Sequence, residues 1–323
     1  MSRLEEIVRT VFGAGSAIPH RVRLPGGASR ETWALDVAAA DGTRHELVLR
    51  LDSPGAALEA GATLAAEAVL MRTAFQAGVP VPRIVSCGES HILMTRVPGE
   101  TIPRKILRDD AYAAARPRLA GQCGQALAAI HRMPVSCVPP ETGTGTETDP
   151  LRRWRDVLDL LGEPHPVFEL ALRRLAATRP RAGRRAVVHG DFRNGNLIIG
   201  PEGIRAVLDW ELAHAGDPLE DLGWLCVKAW RFGSPLPVGG FGAYDDLIHA
   251  YERAGGDPVD RDALRWWETF GVLKWGVICV MQTMRHLRGG ARSVELAAIG
   301  RRVCENEWDL LGMLRDRAEN PLP

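Results

Sequence analysis

The chain has 323 residues, 46% of them hydrophobic and 25% charged, with 40 basic and 40 acidic side chains. That length is enough for two lobes with a proper core, and a formal charge of zero argues against nucleic acid or an anionic membrane surface as the partner. The six cysteines (Cys87, Cys123, Cys137, Cys226, Cys279, Cys304) form no C-x-x-C pair and no metal-like spacing, which excludes a disulfide scaffold and fits buried thiols in a reducing compartment.

The N-terminus, MSRLEEIVRT, has no apolar stretch of the kind a secretory signal needs. RVRL leads into PGGASRE, TWALDVAAA alternates weakly, Asp41-Gly42 marks a hairpin turn and HELVLRL continues as a strand. A helix is predicted from about Glu59 to Gln76, with Gly78 as its stop. VPVPRIVSCG and SHILMTRV read as two more strands, giving a small antiparallel sheet with one long helix. From residue 97 onward the pattern turns helical. Ala111 to Arg132 reads as one Ala/Leu/Arg helix, residues 134–150 as an exposed Pro/Thr/Gly loop, and Leu151 to Thr178 as helix broken near Pro164. The longest apolar run, about Gly271 to Met284, contains Lys274 and is too short to span a bilayer. The expectation is a soluble cytoplasmic α+β protein with two lobes, residues 1–96 and 97–323, and a cleft between them.

Within VVHGDFRNGNLIIG, His189-Gly190-Asp191 is followed by four residues and then Asn196. LIIG and IRAVL, joined by Pro201-Glu202-Gly203, form a hairpin, and ladder geometry sets Asn196 opposite roughly residues 207–209. Asp209 therefore comes beside Asn196, with Asp191 just before the hairpin. A carboxylate and an amide oxygen are hard ligands of the kind Mg²⁺ accepts while keeping waters and substrate phosphates. A second carboxylate nearby can orient a hydroxyl and take its proton, which is the layout phosphoryl transfer requires.

H-G-D-x-x-x-x-N followed by a strand-ending Asp resembles the aminoglycoside phosphotransferase and choline kinase family, the small-molecule branch of the protein-kinase-like fold. The resemblance implies ATP and Mg²⁺ as cofactors, Asp191 as catalytic base, and Asn196 and Asp209 as metal ligands. It makes LPGGASRETW the nucleotide loop, with Gly26, Gly27 and Ser29 near the phosphates, and MTRV the adenine-binding interlobe segment, with Met94, Thr95 and Val97. Glu67 matches the acid that pairs with the phosphate-contacting basic residue, and in GDPLEDLGWL Asp221 matches a brace for the loop. The wording HGDFR…N, LDWE and GDPLEDL is similar to the kinase-like modules fused to acyl-CoA dehydrogenases. One position departs from the family: Arg50 stands where a lysine usually reaches the α- and β-phosphates, and the only lysines are Lys105, Lys228 and Lys274. An always-charged, forked guanidinium can replace it.

His189, Glu211 and Asp217 are expected to be structural, and His131 a packed or capping histidine. Arg193 is open between a phosphate contact and an ion pair. The basic end of the last apolar helix, Arg285, His286 and Arg288, fits compensation of the helix dipole, with a site for an anionic substrate or a CoA phosphate as the less favoured reading. The acceptor is expected over the helical lobe, lined by segments 151–178 and 230–286. Its near balance of acids and bases points away from a polycationic aminoglycoside, and the subgroup resemblance points to a hydroxy acid or hydroxyacyl thioester. The first rival reading is an inactive nucleotide-binding regulatory protein of the same fold, favoured by Arg50 and opposed by the intact Asp191, Asn196 and Asp209; a metal-dependent phosphohydrolase ranks last, because it would want more carboxylate or histidine ligands than this loop offers. Oligomeric state is not legible.

Overall fold

The Ser2 hydroxyl accepts from the Glu5 N–H, and the Glu5 carboxylate accepts from the Ser2 N–H at 3.0 Å. This capping box starts a helix, α1 (Arg3–Phe12), ahead of the expected strands. The computed structural model describes residues 2–24, 30–52, 63–138, 149–290 and 293–319, the last four without their side chains. Gly26, Gly27 and Ser29 lie outside the described residues, as do 139–148 of the expected exposed loop. After α1 come β1 (Ala17–Leu24), β2 (Arg30–Ala38), β3 (Arg44–Asp52), helix α2 (Leu64–Gln76), β4 (Ile84–Gly88) and β5 (His91–Thr95). The strands make an antiparallel sheet in the order β1-β2-β3-β5-β4. Asp41-Gly42 forms the expected β2–β3 turn. Gly42 is left-handed at φ 84°, and the Asp41 carboxylate accepts from the Thr43 N–H at 2.9 Å. Helix α2 is capped ahead of Leu64 by the Thr63 hydroxyl, which accepts from the Ala66 N–H at 3.2 Å; the expected start near Glu59 lies outside the described residues.

The sheet has two working faces because side chains alternate along each strand. Leu47, Leu49 and Leu51 of β3 face Leu4, Ile7 and Val8 of α1, with Leu35 and Leu93 beside them. Burying each such side chain contributes roughly 1.5–3 kcal/mol. The other face carries Val48, Ile92 and Met94 against α2, and alternation puts Arg50 on that same side.

The remainder is mostly helical: α3 (Pro103–Arg108), α4 (Arg116–His131), α5 (Pro150–Leu161), α6 (Pro166–Ala177), α7 (Leu219–Cys226), α8 (Tyr244–Arg253), α9 (Arg261–Leu287), α10 (Val294–Ile299) and α11 (Val303–Glu319). Ala111 to Arg132 is not one helix. A 3₁₀ turn at Asp110–Tyr112 comes first, and α4 opens afresh with Pro117 in its first turn, where a residue without an N–H fits. The break expected near Pro164 is present. Left-handed Gly162 (φ 73°) ends α5, and Pro166 opens α6. Among the described residues no helix is long and apolar enough to cross a membrane. The architecture is thus α+β and bilobal, as expected. Glu100, just after β5, exchanges two backbone hydrogen bonds of 2.9 Å with Ile199, stitching the segment after the sheet to the short strand Leu197–Gly200. Gly99 is required there: its φ is 151°, and a Cβ would lie 2.8 Å from the Ile199 carbonyl oxygen.

Candidate active site

Four short strands frame the polar loop. β6 (Ala186–Val188) pairs with β9 (His214–Gly216), and β7 (Leu197–Gly200) pairs with β8 (Gly203–Val207). The Leu208 N–H donates to the Asn196 carbonyl at 2.8 Å, so Asn196 stands opposite Leu208 with Asp209 next, as hairpin geometry predicts. Asp209 has φ 65°, a left-handed backbone rare for a non-glycine residue.

Three donors converge on the Asp191 carboxylate. Oδ1 accepts from Trp224 Nε1 at 2.8 Å and from Arg193 Nε at 3.0 Å, and Oδ2 accepts from Asn196 Nδ2 at 2.6 Å. The side chain keeps 14% exposure, enough to meet a ligand. Asn196 also donates to the Asp191 carbonyl at 3.0 Å, which turns its amide oxygen away from that residue. Arg193 resolves as an ion pair, and its guanidinium also lies 4.6 Å over the Trp230 ring. His189 is fully buried against Trp210 and Phe192, and burial holds its pKa below the usual 6.5. A neutral ring agrees with its Nδ1 accepting from the Asp191 N–H at 3.3 Å. That is a structural role, as expected.

On the sheet-lobe side, Glu67 is fully buried on α2 and accepts from two guanidinium groups. Arg50 meets its Oε1, and Arg30 meets its Oε2 at 2.7 Å. Arg50 also comes within 4.0 Å of Asp209, and Arg30 within 3.4 Å of Glu211. Arg30 was not singled out by sequence reasoning, although it shares the sheet face of Arg50 through the Thr32–Arg50 register. Burial first, then the Glu211 charge, push the Asp209 carboxyl up to about 7 against the pull of Arg50. The protein's own cations therefore under-compensate Asp209, and a divalent cation at Asn196 and Asp209 would supply the missing charge. Among the described residues no group of three His, Cys, Asp or Glu side chains forms a ready-made cage. A sparse oxygen set of this kind fits Mg²⁺ with water and phosphate ligands. Met94 packs in the core below α2, and the Thr95 hydroxyl accepts from the Arg83 N–H at 3.0 Å. Val97 is half-buried in the segment joining the lobes.

Behind the loop lies a buried polar layer. Asp221 accepts from the N–H groups of His189 (2.7 Å) and Gly190 (2.9 Å) and from His131 Nε2 (3.1 Å), so His131 is packed and paired. Gly190 itself has φ 81°, and a Cβ there would press into the Leu212 carbonyl. Asp217 serves its own turn, accepting from the Leu219 N–H at 2.9 Å. His214 meets an acceptor at each ring nitrogen, the Leu212 carbonyl at 2.9 Å and Glu220 Oε2 at 3.1 Å, which only the imidazolium can satisfy. Burial lowers its pKa, but the charge and hydrogen bond of Glu220 outweigh burial and the repulsion from Lys274, so the net shift is upward from 6.5. The stability this histidine adds is then complete below its unfolded value and is lost as pH rises through the raised folded value. Thermal melts from about pH 6 to pH 9 should show the gap between wild type and His214→Gln narrowing as pH rises. A gap that widens with pH would show that the ring is buried neutral.

A model of the phosphotransferase enzyme family matches residues 20–267, a stretch that includes the polar loop, Glu67 and the buried layer behind the loop. The chain belongs to the phosphotransferase enzyme family. Within that family setting, it is 29% identical over 249 residues to acyl-CoA dehydrogenase family member 10 of Mus musculus, covering 73% of this chain and 23% of the relative. Human acyl-CoA dehydrogenase family member 11 is 26% identical over 230 residues, covering 65% of this chain and 30% of the relative. The chain therefore spans less than a third of the length of these two relatives. Among solved structures, one from Ralstonia eutropha JMP134 superposes with a TM-score of 0.72 at 22% identity, covering 96% of both chains. Aminoglycoside phosphotransferase APH(4)-Ia, in a ternary complex with AMP-PNP and hygromycin B, superposes with a TM-score of 0.64 at 18% identity, covering 99% of this chain and 100% of that one. The fold of this phosphotransferase-family chain is thus the kinase-like fold of these phosphotransferase structures.

Proposed function

We propose that the protein transfers the γ-phosphoryl group of ATP to a hydroxyl of an anionic small molecule, a hydroxy acid or hydroxyacyl thioester. Asp191 takes the hydroxyl proton as that oxygen bonds to the γ-phosphorus, and the bond to the β–γ bridging oxygen breaks to release ADP. The carboxylate fixed by Trp224, Arg193 and Asn196, yet still partly exposed, is the observation that carries this reading. Arg50 and Arg30, held by Glu67, hold the nucleotide phosphates from the sheet lobe, whose interlobe segment around Met94, Thr95 and Val97 takes the adenine. Asn196 and Asp209 would hold Mg²⁺, which when bound neutralises charge on the phosphate oxygens. The AMP-PNP in the APH(4)-Ia complex supports ATP as donor.

Arg193 favours an anionic acceptor. Its guanidinium sits beside the proposed base and over Trp230, where a polycation would meet like charge and a carboxylate or thioester oxygen a donor. The names of the acyl-CoA dehydrogenase relatives agree with an acyl substrate. The test is ADP release from Mg-ATP across aminoglycosides, amino alcohols, hydroxy acids and hydroxyacyl-CoAs. Hydroxy acids or their thioesters should raise release well above the acceptor-free rate. Stimulation by aminoglycosides alone would overturn the acceptor class. No stimulation by any acceptor, with ATP still bound, would favour the inactive nucleotide-binding reading.

A further inference from the structure

Lys274 is the one charge in the run Gly271–Met284 of α9, and it is 5% exposed. A buried ammonium is tolerated only when paired and hydrogen-bonded. Glu220 on α7 supplies the pairing at 3.1 Å, with its other oxygen on His214. Glu220 takes one of the three N–H donors of the ammonium. The ammonium makes two further contacts, and both lead to Asp191. It donates to the Gly190 carbonyl at 3.1 Å, and it lies 4.5 Å over the ring of Trp224.

The first contact fixes the residue before Asp191. The Gly190 N–H is held by Asp221 and its carbonyl by Lys274, so the chain entering Asp191 is gripped on both sides. The second fixes the indole whose Nε1 donates to Asp191 Oδ1 at 2.8 Å. Backbone and side chain of the same aspartate are thus set by one ammonium from α9. We propose that Lys274 is a positioning residue that sets the Asp191 carboxylate through the Gly190 carbonyl and the Trp224 ring. The role in turnover rests on the reading of Asp191 as the base; the geometric role does not.

The experiment uses the full chain with Lys274→Met and with the double variant Lys274→Met/Glu220→Met, which removes both charges and leaves a side chain of similar size at each position. The first measurement is the ¹H–¹⁵N indole resonance of Trp224, identified by its loss in Trp224→Phe. In the double variant this resonance should shift, and its exchange with solvent should speed by at least about tenfold. The second is ADP release with the most effective acceptor at saturating Mg-ATP. There kcat should fall about 10–100-fold while KM for ATP stays within about twofold, the signature of a misplaced reacting group and not of a damaged nucleotide site. If wild type shows no Asp191-dependent ADP release, the functional reading fails, and the Trp224 resonance still decides the positioning role. A folded double variant with an unmoved Trp224 resonance would overturn the proposal, leaving Lys274 as a core ion pair. A double variant that cannot fold would overturn it too, since the pair would then be serving the core itself.

Discussion

Asp191→Asn is expected to lower acceptor-dependent ADP release by about 10²–10⁴-fold, with ATP affinity changed by no more than about twofold. The substitution keeps the shape of the side chain and removes the charge that, in the proposed mechanism, takes the proton. It also removes an acceptor, because all three neighbouring groups donate: Trp224 Nε1, Arg193 Nε and Asn196 Nδ2. An asparagine has one carbonyl oxygen for these three. Its NH₂ must face a donor unless Asn196 flips its amide, so a stability loss on the order of 1 kcal/mol should accompany the rate loss. The two effects separate in measurement: kcat at saturating ATP reports the proton acceptor, and urea midpoints report the hydrogen bonds. A variant that keeps its rate within about tenfold of wild type would remove Asp191 from the role of base.

Some of this site was legible because the information is local. The Pro-Glu-Gly turn between two apolar runs fixes the β7–β8 register within a few residues, and that register alone brings Asn196 to the neighbourhood of Asp209. Ser2-x-x-Glu5 was equally local, and its capping-box pattern could have announced α1. Pro117 inside the Ala-rich run likewise marked where the predicted helix had to restart. The rest depends on contacts between distant positions. Trp224 reaches Asp191 across 33 residues, and Lys274 reaches the Gly190 carbonyl across 84. No periodicity encodes such pairings. The signal for Lys274 was indirect: a single charge in an apolar helix must find a buried partner, and Glu220 lay within a segment already marked by resemblance. Arg30 was hidden for another reason. Only the β2–β3 register shows that it shares a face with Arg50, so that Glu67 accepts from two arginines.

Asp221→Ala should produce the largest loss of stability of any single substitution in the buried layer, about 3–5 kcal/mol. Asp221 has no exposed surface, and its two oxygens satisfy the His189 N–H, the Gly190 N–H and His131 Nε2. Burial would raise its pKa, but the hydrogen bond and charge of His131 and the His189 interactions outweigh this and hold the carboxyl below its ordinary value. Truncation leaves two backbone donors orphaned in a site too buried for bulk water, which is the costly half of losing a hydrogen bond. His131 keeps its Tyr251 contact at 2.9 Å, so it adds less to the loss. Asp221→Asn separates the contributions: one carbonyl oxygen can still serve a backbone N–H, and the cost should drop to roughly 1–3 kcal/mol. Urea unfolding, compared at equal m-value, measures both. Because the orphaned donors belong to His189 and Gly190, amide exchange should rise first in that loop, and phosphoryl transfer should fall before the fold is lost. If Asp221→Ala unfolds within about 1 kcal/mol of wild type, water must enter the layer and replace the carboxylate, and the loop must be held chiefly from the Lys274 side.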